Sequence, residues 1–272
     1  AQILCDVCQN EHMKASEVKE GKIELSAECA GVFQVDVERL DAVNDIDQVM
    51  IAVRHTNSPV KKGDKLLGTR VIPLVIKKEK MELVKERAGA TPLCRLVPYR
   101  LKTAGIVTTG NEVFYGRIQD TFTPVVEKKL QVYGIEVKEH QIVGDKKEGI
   151  VAAIREMKEK GVDLIIATGG MSVDPDDQTP GAIREAGTEV VTYGAPVLPG
   201  AMLCLAYFPD GTPVMGLPGC VMYAKATIFD LLLPRVAAGI PISRKDITTL
   251  GHGGLCLGCP ECHYPDCGFG KG

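Results

Sequence analysis

The sequence predicts an α/β protein in which a small, mainly β domain precedes a parallel α/β domain and a cysteine-rich tail closes the chain. Three observations carry this. Residues 22–76 hold short apolar runs, several alternating with polar residues; from Lys102 onward apolar strands alternate with helical patterns; and four of the ten cysteines fall within residues 256–272. With 272 residues, 45% hydrophobic and 25% charged, the chain can bury a sizeable core, and at roughly 100–200 residues per domain two domains are expected. The expected division is 1–101, 102–238 and 239–272.

Charge narrows the partners. The formal net charge is −3 and there is no long basic run, whereas nucleic-acid binding draws on clustered Lys and Arg, so small molecules are expected and nucleic acid is not. No apolar segment approaches the ~18–20 residues of a membrane span, and no basic-then-apolar leader opens the chain. A cytoplasmic protein without a membrane partner is expected. Ala1 stands where an initiator methionine would, so the first domain is expected to be processed or N-terminally truncated.

In the first domain "KIELSA" and "FQVDV" alternate apolar and polar residues, and "QVMIAV" and "KLLGTRVIPLVI" are β-branched runs split by the turn "NSPVKKGD". A short helix is predicted at "VERLDAV", a connecting helix at "EKMELVKERA" ending at Gly89, and a linker at 90–100. Arg54, His55, Lys61, Lys62 and Arg70 cluster around the turn, either as a solvated basic face or as a lid contacting a phosphate or another oxyanion.

The second domain begins with the strand "AGIVTT", followed by the glycine-punctuated loop "GNEVFYGRIQDT" and a helix capped by Thr123 with Pro124 in its first turn. The strand "GIEVKEHQIV" follows, then a helix whose Asp145 and Glu148 have capping-box spacing and whose Ile150, Ile154 and Met157 form an apolar stripe. "VDLIIA" reads as the most buried strand. The loop "TGGMSVDPDDQ" leads to a helix at Thr179-Pro180, and "EVVTYG", "MLCLAYF" and "TPVMGL" are further strands before a last helix over 220–235.

Three strand-end loops carry the unusual residues: Thr109-Gly110-Asn111-Glu112, Val143-Gly144-Asp145, and residues 168–177 with Thr168, Gly169, Gly170, Met171, Ser172, Asp174, Asp176 and Asp177. In open α/β sheets ligands bind beyond the carboxyl ends of the strands, so the loops can converge on one site. Two glycine corners follow, Leu198-Pro199-Gly200 and Pro218-Gly219, the latter before a helix, where bare N–H groups suit an anion. A phosphate-bearing ligand is suggested, with carboxylates holding Mg²⁺ or a polar heterocycle. The plainer alternatives are that Asp145 and Asp177 cap helices, that Asp174 and Asp176 are solvated, and that Asn111 and Glu112 are turn residues.

Taken together, "VTTGNEV", "ATGGMSVDPDDQTPGAI", "PVLPGAM" and "VMGLPGCVMYAKATIFDLLLP" resemble the molybdopterin-binding domain of the MoeA and MogA/MoaB families, in order, over about 102–238. "MIAVRHTNSPVKKGDKLLGTRVIPLVI" resembles what precedes that domain in some bacterial relatives. The resemblance implies a three-layer α/β/α fold, molybdopterin as substrate, and a place in molybdenum cofactor biosynthesis, by molybdopterin adenylylation or molybdate insertion. It implies catalytic roles for Asp145 and Asp177, a phosphate and pterin loop at Gly169, Gly170 and Ser172, and closing corners at Gly200 and Pro218-Gly219. Mg²⁺, molybdate and a nucleotide are the implied small molecules. A homo-oligomer and a molybdoenzyme or cofactor-pathway protein are the expected assemblies. "GLPGCV" stands where many members carry Asn-Pro, "PGAM" replaces the usual "PGKP", and residues 239–272 are too few for the barrel that ends a MoeA chain. An ordinary MoeA is therefore not expected, and the alternatives are a non-catalytic cofactor carrier or sensor and a nucleotide pyrophosphatase of the competence-damage type.

The tail "CLGCPECHYPDC" places Cys256, Cys259, Cys262 and Cys267 at C-x2-C-x2-C-x4-C spacing. Four thiolates within reach of one centre fit zinc or an iron–sulfur cluster; a mobile, redox-sensitive terminus is the alternative. The tail is expected to be separable from the ligand site, because the aspartates and glycine corners lie upstream. Cys5 and Cys8 form a CxxC pair that could supply a second site, and Cys29, Cys94, Cys204 and Cys220 read as reduced core or near-core thiols.

Overall fold

A computed structural model describes residues 1–172, 174 and 177–272. The chain folds into two units, Ala1–Tyr99 and Arg100–Gly272.

The first unit runs α1 (Gln2–Asp6), β1 (Met13–Ala15), β2 (Lys22–Ala27), β3 (Gly31–Val35), α2 (Val37–Asn44), β4 (Val49–Val53), β5 (Ser58–Val60), β6 (Lys65–Val71), α3 (Lys78–Ala88) and β7 (Cys94–Pro98). The strands form two antiparallel sheets, β1-β2-β6-β4 and β5-β3-β7. Two expectations are corrected here. The stretch read as a turn contains β5, whose Pro59 is tolerated because β5 is an edge strand, and the stretch read as a linker contains β7, paired along the whole of β3. The long β run also stops early: β6 ends where its pairing with Val49 ends at Val71, and Ile72, Leu74 and Val75 beyond it are exposed.

Cys5, Cys8 and Cys94 are buried in the core of this unit. A hydrogen bond with Cys94, then burial, pushes the Cys8 thiol well above its ordinary range. Such protonated thiols are packing groups. In the basic cluster Arg54 donates to the Lys65 carbonyl, and the Lys61 N–H donates to Asp64.

The second unit runs β8 (Thr103–Thr109), α4 (Asn111–Phe114), α5 (Thr123–Gln131), β9 (Glu136–Val143), α6 (Lys147–Glu159), β10 (Leu164–Thr168), α7 (Thr179–Glu185), β11 (Glu189–Tyr193), β12 (Cys204–Tyr207), β13 (Pro213–Leu217), a 3₁₀ turn (Gly219–Met222), α8 (Ile228–Ala237) and α9 (Arg244–Thr249). Its sheet has the order β11-β12-β13-β10-β8-β9, with β9, β8, β10 and β13 mutually parallel. From β8 the chain steps to β9 on one side, then back across β8 to β10. Right-handed crossovers therefore place α5 and α6 on opposite faces, which makes three layers. α6 and α7 bury Ile150, Ile154, Met157, Ala182 and Ile183 against Val107, Ile165 and Ala167. The alternate residues Ile106, Leu164 and Ile166 are equally buried, as a sheet covered on both sides requires.

The last helix does not start at Cys220. Thr227 is extended at φ −140° and forms a capping box with Asp230, so α8 begins at Ile228 and only a 3₁₀ turn follows Pro218. An α-helix terminus therefore does not face Gly219, and the anion-binding argument made for that corner loses its dipole.

Candidate functional site at the carboxyl ends of β8 and β10

The order of leaving β8, first to β9 and then to β10, creates the topological switch point at the β8–β10 junction, where open α/β sheets bind ligands. The loops after β8, β9 and β10 are stitched together there. The Gly110 N–H donates to the Val143 carbonyl at 3.1 Å. Asn111 N–H donates to Asp145 Oδ2 at 3.0 Å, and Asp145 N–H donates back to Asn111 Oδ1 at 3.4 Å. A Cβ on Gly144 would stand 2.8 Å from that same Oδ1, so glycine permits the approach. Asp145 is thus no helix cap: α6 has no side-chain cap.

The β10 loop is joined to the β8 loop on the other side. The hydroxyls of Thr109 and Thr179 lie 3.3 Å apart, and Thr179 donates to the Gly169 carbonyl at 2.9 Å. Gly169 and Gly170 have φ of 85° and 55°, where side-chain-bearing residues are disfavoured, and a Cβ on Gly169 would come within 2.3 Å of the Thr109 carbonyl oxygen. Asp177 does not cap α7. Its Oδ2 accepts the Ser172 N–H at 2.5 Å, its own N–H donates to the Asp174 carbonyl, and Tyr193 donates its phenol proton to the Ser172 carbonyl at 3.0 Å. Burial first, then the Asp177 charge, raises the Tyr193 pKa. Asp176 lies outside the described residues.

Met171, Thr168 and Gly200 are packing residues. Met171 is 4% exposed, and its sulfur fills the space beside Gly216. Thr168 is fully buried and donates to the Thr108 hydroxyl at 3.4 Å. Gly200 has φ 126°, and a Cβ there would lie 2.3 Å from Ile228 Cγ2, so this corner packs on the start of α8. Glu112 and Asn111 are exposed, as are Ser172 and Asp174. Gly219 has open space around it.

One cluster was missed in the sequence. Thr108 donates to Asp120 Oδ2 at 3.0 Å, Thr123 donates to the same oxygen at 2.6 Å, and His140 Nε2 lies 3.0 Å from the Thr108 hydroxyl and 3.4 Å from Asp120. Asp120, rather than Thr123, caps α5, accepting the N–H groups of Phe122 and Thr123. Burial alone would raise its pKa, but these hydrogen bonds outweigh it and hold the carboxyl below the ordinary range. The only local signal was the Asp-x-x-Thr spacing, a cap pattern shifted three residues upstream.

Asp145 and Asp177 are the carboxylates here that could hold a magnesium ion shared with a phosphate. A carboxylate has about four lone-pair sites, so among the described residues the N–H groups that Oδ2 accepts from Asn111 and Ser172 leave capacity at Asp145 and Asp177. Mg²⁺ is commonly held by one or two carboxylates plus substrate phosphates and waters. Among the described residues no three of His, Cys, Asp and Glu converge as a complete protein cage.

The family match falls on the same part of the chain. Residues 105–238 match the family described as "Probable molybdopterin binding domain". A CinA-like protein of Mycobacterium tuberculosis (strain ATCC 25177 / H37Ra) is 43% identical over 89 residues, covering 32% of this chain and 21% of that protein. A CinA-like protein of Mycolicibacterium gilvum is 33% identical over 151 residues, covering 46% and 36%. The chain thus spans between about a fifth and just over a third of these relatives. Among solved structures, the molybdopterin biosynthesis enzyme MoaB of Thermus thermophilus aligns with a TM-score of 0.44 at 22% identity, over 53% of this chain and 99% of that one. CinA of Thermoplasma acidophilum aligns at 0.43 and 19%, over 50% and 98%.

Proposed function

We propose that this chain, whose residues 105–238 match the family of probable molybdopterin-binding domains, binds molybdopterin at the β8–β10 switch point and acts on it in molybdenum cofactor biosynthesis. The observation that carries the reading is the stitching of three strand-end loops by Asn111, Asp145 and Thr109 within the matched residues.

Either adenylylation of the pterin phosphate or insertion of molybdate is compatible with these groups. In adenylylation a phosphate oxygen attacks the α-phosphorus of ATP and pyrophosphate leaves. Asp145 and Asp177 would hold Mg²⁺, which supplies positive charge against the phosphate oxygens. The backbone at Gly169 and Gly170 lets a phosphate approach without side-chain obstruction. The Asn111–Asp145 pair orients its carboxylate, so no reorganisation is needed when charge develops.

A second reading, a nucleotide pyrophosphatase of the competence-damage type, is favoured by the identity to CinA-like proteins. Incubating the purified chain with molybdopterin and Mg–ATP, with adenylylated pterin and molybdate, and with ADP-ribose decides among the outcomes. Adenylylated pterin and pyrophosphate support adenylylation, and AMP release from adenylylated pterin with molybdate supports insertion. Pterin binding with neither turnover leaves a carrier or sensor. Hydrolysis of ADP-ribose without pterin binding overturns the reading in favour of the second.

A further inference from the structure

The tail is fastened to the second unit. The Leu198 N–H donates to the Gly254 carbonyl at 2.8 Å, and the Cys256 N–H donates to the Leu198 carbonyl at 2.8 Å, forming a parallel bridge between Leu198 and Leu255. The Tyr264 hydroxyl donates to the Asp230 carbonyl at 2.6 Å, Phe269 is buried, and Lys225 Nζ donates to the Pro260 carbonyl at 3.2 Å. Between these anchors lies a cavity of about 500 Å³ whose wall includes Cys256, Cys259, Cys262 and Cys267.

We propose that this cavity holds a [4Fe–4S] cluster through the four tail cysteines. Soft thiolates select zinc, copper(I) or iron–sulfur centres, and the size of the space separates these. A single zinc sits about 2.3 Å from each sulfur and leaves no cavity between them. The cavity has room for a polyatomic group. Among the described residues no three of His, Cys, Asp and Glu are grouped to hold a single ion.

The rest of the wall suits that occupant. Gly258 and Gly268 line the cavity with nothing within 4 Å of an added Cβ, so the backbone can approach the cluster sulfurs, whose hydrogen bonds set such centres' potentials. Lys225 also lines it, fixed by its bond to Pro260, and its ammonium group offsets the negative charge of a thiolate-ligated cluster. Cys259 and Cys262 are exposed, which makes the centre accessible to solvent and oxygen. The inference is independent of what the pterin site does.

The test is anaerobic reconstitution of the full chain with ferric iron, sulfide and a dithiol, which reduces half of the iron so that a two-ferric, two-ferrous cluster can form. The expected product is brown, with broad visible absorption bleached by dithionite, and contains about four irons and four acid-labile sulfides per chain. Cys259→Ser and Cys262→Ser each lower both roughly tenfold, because a closed ligand set has no spare donor, while Cys220→Ser, outside the cavity wall, leaves them unchanged. Both tail thiols are exposed, so far-UV circular dichroism of the variants is expected to match the parent and separates ligand loss from misfolding. A colourless protein holding about one zinc per chain and refusing iron would overturn the cluster. Reconstituted protein with neither metal, all four tail thiols still reacting with a thiol reagent, would overturn any metal centre there.

Discussion

Asn111 and Asp145 hold each other across the mouth of the sheet, each accepting through its side chain the backbone N–H of the other, at 3.0 and 3.4 Å. This reciprocal pair ties the loop after β8 to the loop after β9 and leaves the Asp145 charge exposed at the switch point. Asp145→Asn keeps an acceptor oxygen for the Asn111 N–H and removes the charge. Its stability is expected to stay within about 1 kcal/mol of the parent, while magnesium-dependent turnover or pterin affinity falls at least about tenfold. Urea unfolding beside pterin titration checks it; equal losses in both would mark Asp145 as a structural link only.

Asp177 and Tyr193 meet around Ser172. The Asp177 charge disfavours the tyrosinate, so Asp177→Asn lowers the Tyr193 pKa toward its ordinary value, with burial still holding it up. Tyrosine-labelled NMR titrated on the alkaline side reads this directly. The same variant is expected to lose magnesium-dependent activity, and a Tyr193 titration that does not move would show the carboxylate pointing elsewhere in solution.

The Asp120 carboxylate makes an acid-dependent contribution to stability. Its folded pKa lies below the ordinary value, so the unfolded chain takes up its proton first on acidification. The contribution is fully present above about pH 4 and is lost as pH falls through the folded pKa. Asp120→Ala is expected to cost about 0.5–2 kcal/mol at neutral pH, as loss of a helix cap does, and the gap to the parent should close in acid. Denaturant unfolding from pH 7 down to pH 2 gives the two curves; a constant gap would show that its charge is not involved.

Glycine corners separate into packing and open ones. At Gly200 an added Cβ meets Ile228 at 2.3 Å with φ at 126°, so Gly200→Ala should destabilise by about 1–3 kcal/mol. At Gly219 nothing lies within 4 Å, so Gly219→Ala should melt within a degree or two of the parent, and any loss of pterin affinity there reports ligand contact. Thermal melts with and without pterin distinguish the two.

Removing residues 252–272 strips the backbone partners from Leu198, two residues from Gly200, and uncovers the wall closed by Phe269. Contrary to the separability expected from sequence order, the truncated chain should melt lower and bind pterin more weakly. Calorimetry of the two chains checks this, and equal melting temperatures would restore an independent tail.

What the amino-acid sequence determined by itself is what short-range periodicity encodes. The apolar run "LIIA" within "VDLIIA" had to be a strand covered on both faces, the stripe of Ile150, Ile154 and Met157 had to face a sheet, and the alternation of strands and helices after Lys102 required parallel pairing with its crossovers. The Thr227–Asp230 capping box was equally local and legible, yet an apolar face continued through Val221 and Ala224 masked the break before it. What only the tertiary structure decided depends on partners distant in the chain. β7 exists because β3, some sixty residues earlier, offers it an edge; the Asp120–His140 cluster exists because the β8–β9 register sets His140 opposite Ile106, two residues before Thr108. Asp145 and Asp177 carried cap-like spacing in the sequence, but each found a better donor than its own helix, in Asn111 and Ser172. A carboxylate goes to whichever unsatisfied N–H the folded backbone brings nearest, and that choice is made by the packing of the sheet, not by the neighbouring residues.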